Sequence, residues 1–315
     1  MIKNRTASLV VILFVYVLAA AGGFFAFDYF SSSGGFGMSA GTGLNLSWQL
    51  SFFLADVVAT VLVFIFSLIF NNASVYDPYW SVQPPVILFF TIYKIKTVLK
   101  LFASWFAESF GTKEASGFEL EPFGILLLSA VLFWAVRLTA NWIYNFKSFE
   151  YQDWRYVMLK EKSGKLYPLV NFFGIHMFPT CVVYLCVLPA VTVFVEGADF
   201  KPVCLIFIAL SFASAIVQGI ADIQMHTFRA SGTGGFIRTG LWKRGRHPNY
   251  ACEILMWWGI GLASVAALGW QSWYLLVGAL LNTLMFLFIS IPMADKRQAR
   301  KPGFEEYKKE TRLLF

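Results

Sequence analysis

Apolar stretches as long as a bilayer is thick recur along this chain, and they decide what it can fold into. A helix needs roughly 20 apolar residues to cross the hydrocarbon core. Stretches of that kind occur near residues 8–29, 48–70, 84–106, 123–145, 169–195, 202–221, 250–269 and 272–293. Inside a bilayer the backbone amides have no water to bond to, so segments of this length satisfy themselves as helices. The reading is an all-α, multi-pass membrane helix bundle of about eight spans. The third span contains Lys94, Lys96 and Lys100. Their ammonium groups can snorkel to an interface, which leaves seven to eight crossings. The first span follows Lys3 and Arg5 as a signal peptide would, but its long apolar core and the later spans favour an uncleaved anchor. With 58% hydrophobic and 14% charged side chains and a mean hydropathy of +0.63, an ordinary water-facing globule is excluded.

Basic residues set the orientation, because they concentrate on the cytoplasmic side of membrane proteins. Connections 146–168, 222–249 and 294–315 hold five, five and seven Lys or Arg residues, and the amino terminus adds two. Connections 28–47, 107–122 and 196–201 hold only Lys113 and Lys201, against seven acidic residues. Both termini and the three basic connections therefore read as cytoplasmic, the latter forming a cap. This asymmetry accounts for the net charge of +7 without nucleic acid as a partner. The Gly/Ser-rich stretch 31–43 reads as an outer loop.

Cys181, Cys186, Cys204 and Cys252 all lie in or beside apolar spans, which suits neither a disulfide framework nor a zinc site. With only His176, His226 and His247, a histidine-rich metal cluster is not expected, and no metal is assigned.

Polar residues at helical spacing mark the second half of the chain. Arg137, Asn141 and Tyr144 share a face of the fourth span, where an arginine faces protein or a cavity, not lipid. It can serve in an ion pair with Glu150 or Asp153, or clamp a phosphate. Gln218, Asp222, Met225 and Arg229 form a stripe at the end of the sixth span, followed by the glycine-bearing segment 231–238. The densest cluster is Arg246-His247-Pro248-Asn249-Tyr250 with Glu253, at the start of the seventh. Pro248 suits the first turn of a helix. Asn249 and Glu253 then lie one turn apart on one face, with Arg246 and His247 at the mouth, where a helix amino terminus favours an anion. Arg297 and Arg300, in a final segment expected to fold back under that mouth, offer further phosphate contacts.

The combination Asp222…Arg229, Gly240-Leu-Trp…Arg246-His-Pro-Asn-Tyr…Glu253-Ile-Leu-Met-Trp-Trp-Gly259, Ser290-Ile-Pro and Phe304-Glu-Glu-Tyr307 resembles the carboxy-terminal domain of steroid 5α-reductases. Closer still is a bacterial and plant branch beside them, a domain of unknown function. The stretches Arg137-Leu-Thr-Ala-Asn141-Trp…Glu150-Tyr-Gln-Asp153-Trp-Arg155-Tyr and Tyr76-Asp77-Pro78-Tyr79-Trp80-Ser81 are similar to that branch. The resemblance covers roughly residues 70–315. It divides the chain into amino-terminal spans, 1–70, and a reductase-like membrane domain, 71–315, with a cofactor site drawn from 137–155 and 218–307.

The resemblance implies an NADPH-dependent reductase acting on a conjugated enone of a lipid-like, steroid or isoprenoid substrate. Asp222 and Arg229 match a carboxylate and an arginine of the family's dinucleotide site, Asn249-Tyr250…Glu253 match its Asn-Tyr…Glu element, and Gln218 stands where the family has asparagine. Arg137, Asn141, Arg246 and His247 complete the expected cofactor contacts. The steroid reductases donate a hydrogen bond to the substrate from a tyrosine assisted by a glutamate in their amino-terminal half. Tyr79, beside Asp77, is the candidate here. The second span offers Gln49 and Asp56 as partners but no glutamate. An Arg-His-Pro-x-Tyr element before an apolar helix is also similar to isoprenylcysteine and phospholipid methyltransferases, so S-adenosylmethionine stands as the alternative cofactor. A transporter or lipid-binding scaffold would need a polar path across the bilayer.

Overall fold

The computed structural model describes residues 2–31, 46–110 and 121–315, with the side chains of 96–110 left out. Most of the Gly/Ser-rich loop, Lys113 and the side chains of Lys96 and Lys100 therefore lie outside the described residues. The described chain is helical. In order it forms α1 (Arg5–Ser31), α2 (Trp48–Ile69), α3 (Tyr79–Phe110), α4 (Pro122–Asn145), α5 (Trp154–Ser163), α6 (Tyr167–Leu169) and α7 (Phe178–Glu196). It continues through α8 (Val203–Ala230), α9 (Pro248–Leu268), α10 (Val277–Met285), α11 (Ile291–Gln298) and α12 (Phe304–Glu310).

Among the described residues, seven helical stretches are long and apolar enough to span a membrane: α1, α2, α4, the rod Trp154–Glu196, α8, α9 and the rod Trp270–Gln298. The multi-pass bundle expected from the apolar pattern is the architecture found. Two of the rods are not uniform. Val170–Met177 and Phe286–Ser290 take the wider π-helical turn, a feature that often marks functional sites.

The chain divides into two compact units, residues 1–128, 142–184 and 194–196 in the first and 129–141, 185–193 and 197–315 in the second. In the first, the amino terminus and two connections meet at one end. Arg5 Nη2 donates to Ile143 O at 2.7 Å, Lys3 pairs with Glu150 at 3.4 Å, and Asn72 Nδ2 donates to the carbonyls of Phe149 and Tyr151 at 2.9 and 3.1 Å.

In the second unit α9 is buried along most of its length and packs against α8. Their approach is close because Gly259 has no side chain: a Cβ there would sit on the Ser211 hydroxyl and 2.6 Å from Phe207 O. The cap residues of this unit fold back as expected. Arg246 Nη1 donates to the carbonyls of Lys308 and Thr311 at 3.0 and 2.9 Å, Arg238 Nη2 to Gly303 O at 2.6 Å, and Tyr307 to Trp242 O. Burial pushes the Tyr307 phenol up to about 12.

Candidate functional site

Two polar centres stand inside otherwise apolar helices, one in each unit. The centre of the second unit is a ladder of side chains between α4 and α8. Trp134, Arg137 and Asn141 occupy successive turns of α4, and Gln218, Asp222 and His226 successive turns of α8. Spacings of three and four residues align each set on one face, which lets the two helices meet rung by rung. At the middle rung Arg137 Nη1 bonds Asp222 Oδ2 at 2.8 Å, with both side chains under 15% exposed. At the outer rung His226 Nε2 and Asn141 Oδ1 are 2.7 Å apart. At the inner rung Trp134 Nε1 and Gln218 Nε2 both donate to Glu253 Oε2 of α9, at 2.9 and 2.8 Å, and Trp257 Nε1 donates to Glu253 Oε1 at 3.1 Å.

Three N–H donors thus hold the buried Glu253 carboxylate, and the donors are neutral. The rungs leave hydrogen-bonding capacity over. Arg137 Nε and Nη2, Gln218 Oε1 and Asn249 Oδ1 are buried with no hydrogen-bond partner among the described residues. Unpaired buried polar atoms are rare in native structures, and four from residues of one patch point to a polar ligand or ordered water.

The mouth of the ladder is cationic. Burial, then the like charges of Arg297 and Arg229, pushes the Lys301 ammonium below its ordinary range, so the three basic groups share one neighbourhood. Arg229 and Arg297 are themselves exposed. The helix start expected at Pro248 is the observed start of α9. Arg246 and His247 sit there, but they serve the cap. His247 Nε2 meets Asp295 Oδ1 at 2.8 Å, Arg246 Nε lies 3.5 Å from Asp295 Oδ2, and the His247 ring stacks on Tyr250.

The centre of the first unit is built on Tyr79, which is buried, not exposed at an interface. Its hydroxyl donates to Asp56 Oδ1 at 2.8 Å, and Gln83 Nε2, one turn along α3, donates to Asp56 Oδ2. The rings of Tyr16 and Tyr76 fix the phenol, with centroids 5.8 and 5.2 Å from that of Tyr79. Tyr79, Asp56 and Gln83 line a cavity of about 220 Å³ whose other walls include Tyr16, Gly23, Phe24, Phe52, Ala55 and Phe90.

Asp77 is engaged elsewhere. It accepts from Tyr156 at 2.5 Å, and burial with the nearby Asp153 charge pushes its carboxyl up to about 6. This contact joins the two segments singled out in the first half of the chain, 76–81 and 150–156.

The sequence reading named most of the ladder but missed Trp134, His226 and Trp257, and took Met225 for the stripe where His226 makes the rung. The signal was present, since 134, 137 and 141 recur at helical spacing. Gln83, Lys301 and Asp295 carried no signal of their own, because their roles arise from contacts between elements distant in sequence.

Among the described residues no group of three or more His, Cys, Asp or Glu side chains is placed to hold a metal ion. A family model described as "Protein of unknown function (DUF1295)" matches residues 63–311. An uncharacterized protein of Schizosaccharomyces pombe is 27% identical over 178 aligned residues, covering 46% of this chain and 51% of the relative. The chain thus spans about half the length of the curated relative it matches. No solved structure matches the chain.

Proposed function

The chain belongs to the family of proteins of unknown function (DUF1295), and from that premise we propose that it is a membrane-embedded, NADPH-dependent reductase related to the steroid 5α-reductases. Its substrate is a conjugated enone, or a similar double bond, in a lipid-like molecule of steroid or isoprenoid type. The observation that carries this reading is the Tyr79–Asp56 pair lining a carbon-walled cavity. Adding hydride to the β-carbon of an enone drives negative charge onto its oxygen. A donor already in place stabilises that charge without reorganisation.

A phenol has a single proton, and here Tyr79 directs it at Asp56 Oδ1. Tyr79 donates to a substrate oxygen when Asp56 carries its own proton and gives it to the phenol oxygen. Gln83 suits that arrangement, because its N–H meets the other carboxyl oxygen, an acceptor in either protonation state. Asp56, not Asp77, is then the partner of Tyr79.

A reduced nicotinamide dinucleotide supplies hydride when bound. The ladder fits such a group: Arg137 offers two unused N–H edges for phosphate or carbonyl oxygens, while Gln218 and Asn249 offer amide oxygens for amino or hydroxyl donors. Arg229 and Lys301 would contribute charge at the mouth. Asp222 orients Arg137, Glu253 orients Gln218, and Arg246, His247 and Tyr250 brace the cap.

S-adenosylmethionine-dependent methyl transfer is the competing reading. It gives the Tyr79–Asp56 pair nothing to do, since a methyl acceptor develops no oxyanion. Titration of the purified chain with each cofactor separates the two. NADPH is expected to bind saturably, and Asn249→Ala and Asp222→Ala are each expected to weaken it at least about tenfold. Saturable adenosylmethionine binding without NADPH binding would sink the reductase reading.

A further inference from the structure

The polar groups on the wall of the α1–α2–α3 cavity are almost all spoken for. Tyr16 donates to Val75 O at 2.8 Å, Tyr79 donates to Asp56, and both Asp56 oxygens accept. Gln83 is the exception. It is 4% exposed, and its Oε1 has no hydrogen-bond partner among the described residues.

The side-chain amide cannot turn to relieve this. Rotating it by half a turn would bring Oε1 against Asp56 Oδ2, an acceptor both in the ionised carboxylate and in the acid that carries its proton on the oxygen facing Tyr79, replacing an attraction by the approach of two acceptors. Asp56 therefore fixes which end of Gln83 is left over, and that end is an acceptor. An acceptor among carbon walls is matched only by something that donates.

We propose that this cavity takes an apolar ligand bearing a hydrogen-bond donor, a hydroxyl or N–H group, which Gln83 Oε1 accepts. Gln83 follows Tyr79 by one helical turn, so their Cβ atoms are about 6 Å apart. The donor accepted by Gln83 and any oxygen facing Tyr79 thus belong to the same end of the ligand, with its hydrocarbon body against Phe24, Phe52 and Phe90. The occupant is the substrate only if the reductase reading holds; the donor requirement is a property of the cavity.

Two probes test it: 2-naphthol, which has the donor, and 2-methoxynaphthalene, which has the same rings and none. Saturable binding to the full chain in phosphatidylcholine nanodiscs is measured after subtracting partition into protein-free discs. 2-Naphthol is expected to bind on the order of tenfold more tightly than its ether, and Gln83→Leu to erase the difference while leaving ether binding unchanged. Equal affinity of the two probes for the native chain overturns the proposal, as does a preference that survives in Gln83→Leu or no saturable binding of either probe. If the leucine variant fails to fold, the native comparison still decides. NADPH titrated in parallel keeps the two readings apart. A donor preference without NADPH binding leaves this inference standing and removes the reductase; NADPH binding without the preference does the reverse.

Discussion

Arg137 owes its position to one carboxylate and lies in an apolar helix, so its worth is tested by what its removal strands. Without the guanidinium, Asp222 is left at 14% exposure with no charge partner in contact, and breaking a buried pair from one side costs about 3–5 kcal/mol. Arg137→Leu is expected to lose about that much in detergent unfolding, and adding Asp222→Asn should recover a large part of it. Additive losses would mean that the two side chains are not coupled. Asp77 gives a prediction of opposite sense. Its carboxyl is held at about 6, above the ordinary value of 3.8, chiefly by burial. The folded state therefore binds the Asp77 proton more tightly than the unfolded chain does. Its charge costs stability above pH 6, and the cost fades as pH falls through that value toward 4. Asp77→Asn keeps an acceptor for Tyr156 and removes the charge. It should melt higher than the native chain at pH 7.5, by a margin that shrinks as pH falls toward 4.5 and closes only below about 3.8; a gap unchanged between pH 7.5 and 4.5 would mean that Asp77 does not titrate there.

At the scale of elements, the helices are set by apolar length and their pairing by small residues. Gly259 on α9 and Gly278 on α10 each leave no room for a Cβ: the first meets Ser211 and Phe207, the second the backbone of Leu185 and Cys186. Backbone cannot rotate away as a side chain can, so Gly278→Ala is expected to destabilise by about 1–3 kcal/mol. Gly174→Ala, whose new methyl would lie 3.9 Å from its nearest neighbour, should be close to neutral. A thermal-shift comparison in detergent that ranks the two alike would refute this account of the packing. The same contrast explains what was legible in the sequence. Spans could be read because the bilayer imposes one length and one hydropathy on each, and most of the ladder because 3.6-residue periodicity places Arg137 with Asn141 and Gln218 with Asp222. Partners could not be read, since nothing local says that Trp134 reaches Glu253 across 119 positions or that Asp56, not Asp77, receives Tyr79. Arg246 and His247 show the same limit. Their charge suggested an anion, but the carbonyls and carboxylate that engage them come from the last 21 residues.

For the whole molecule, the number of crossings fixes which side the termini occupy. Among the described residues seven helical stretches meet the length and hydropathy of a span, and an odd number would place the two ends of the chain on opposite faces. The contacts within the first unit argue for one more. Residues 3–8, 71–78 and 143–160 meet at a single end, through Lys3 with Glu150, Phe149 N with Ser8 Oγ, Lys160 with Asn71, and Asp77 with Tyr156. The chain therefore leaves that end after residue 78 and has returned to it by residue 143. Return is the work of α4, so departure falls to α3, whose 32 residues extend about 48 Å, longer than a bilayer core of about 30 Å. Its charge inside the crossing is met locally: Lys94 pairs with Asp28 and lies over the ring of Phe24 at 4.5 Å. Eight crossings would put both termini on one face, and from the basic connections 146–168, 222–249 and 294–315 we propose that this face is the cytoplasmic one. Labelling with a membrane-impermeant maleimide, on a background without the four native cysteines, tests this in the full chain. Lys147→Cys and Thr233→Cys should react only from the cytoplasmic side, and Glu121→Cys and Asp199→Cys only from the other. Labelling of Glu121→Cys from the cytoplasmic side and of Lys147→Cys from the other would make α3 a re-entrant helix and return the count to seven, which strands all three basic connections on the outer face.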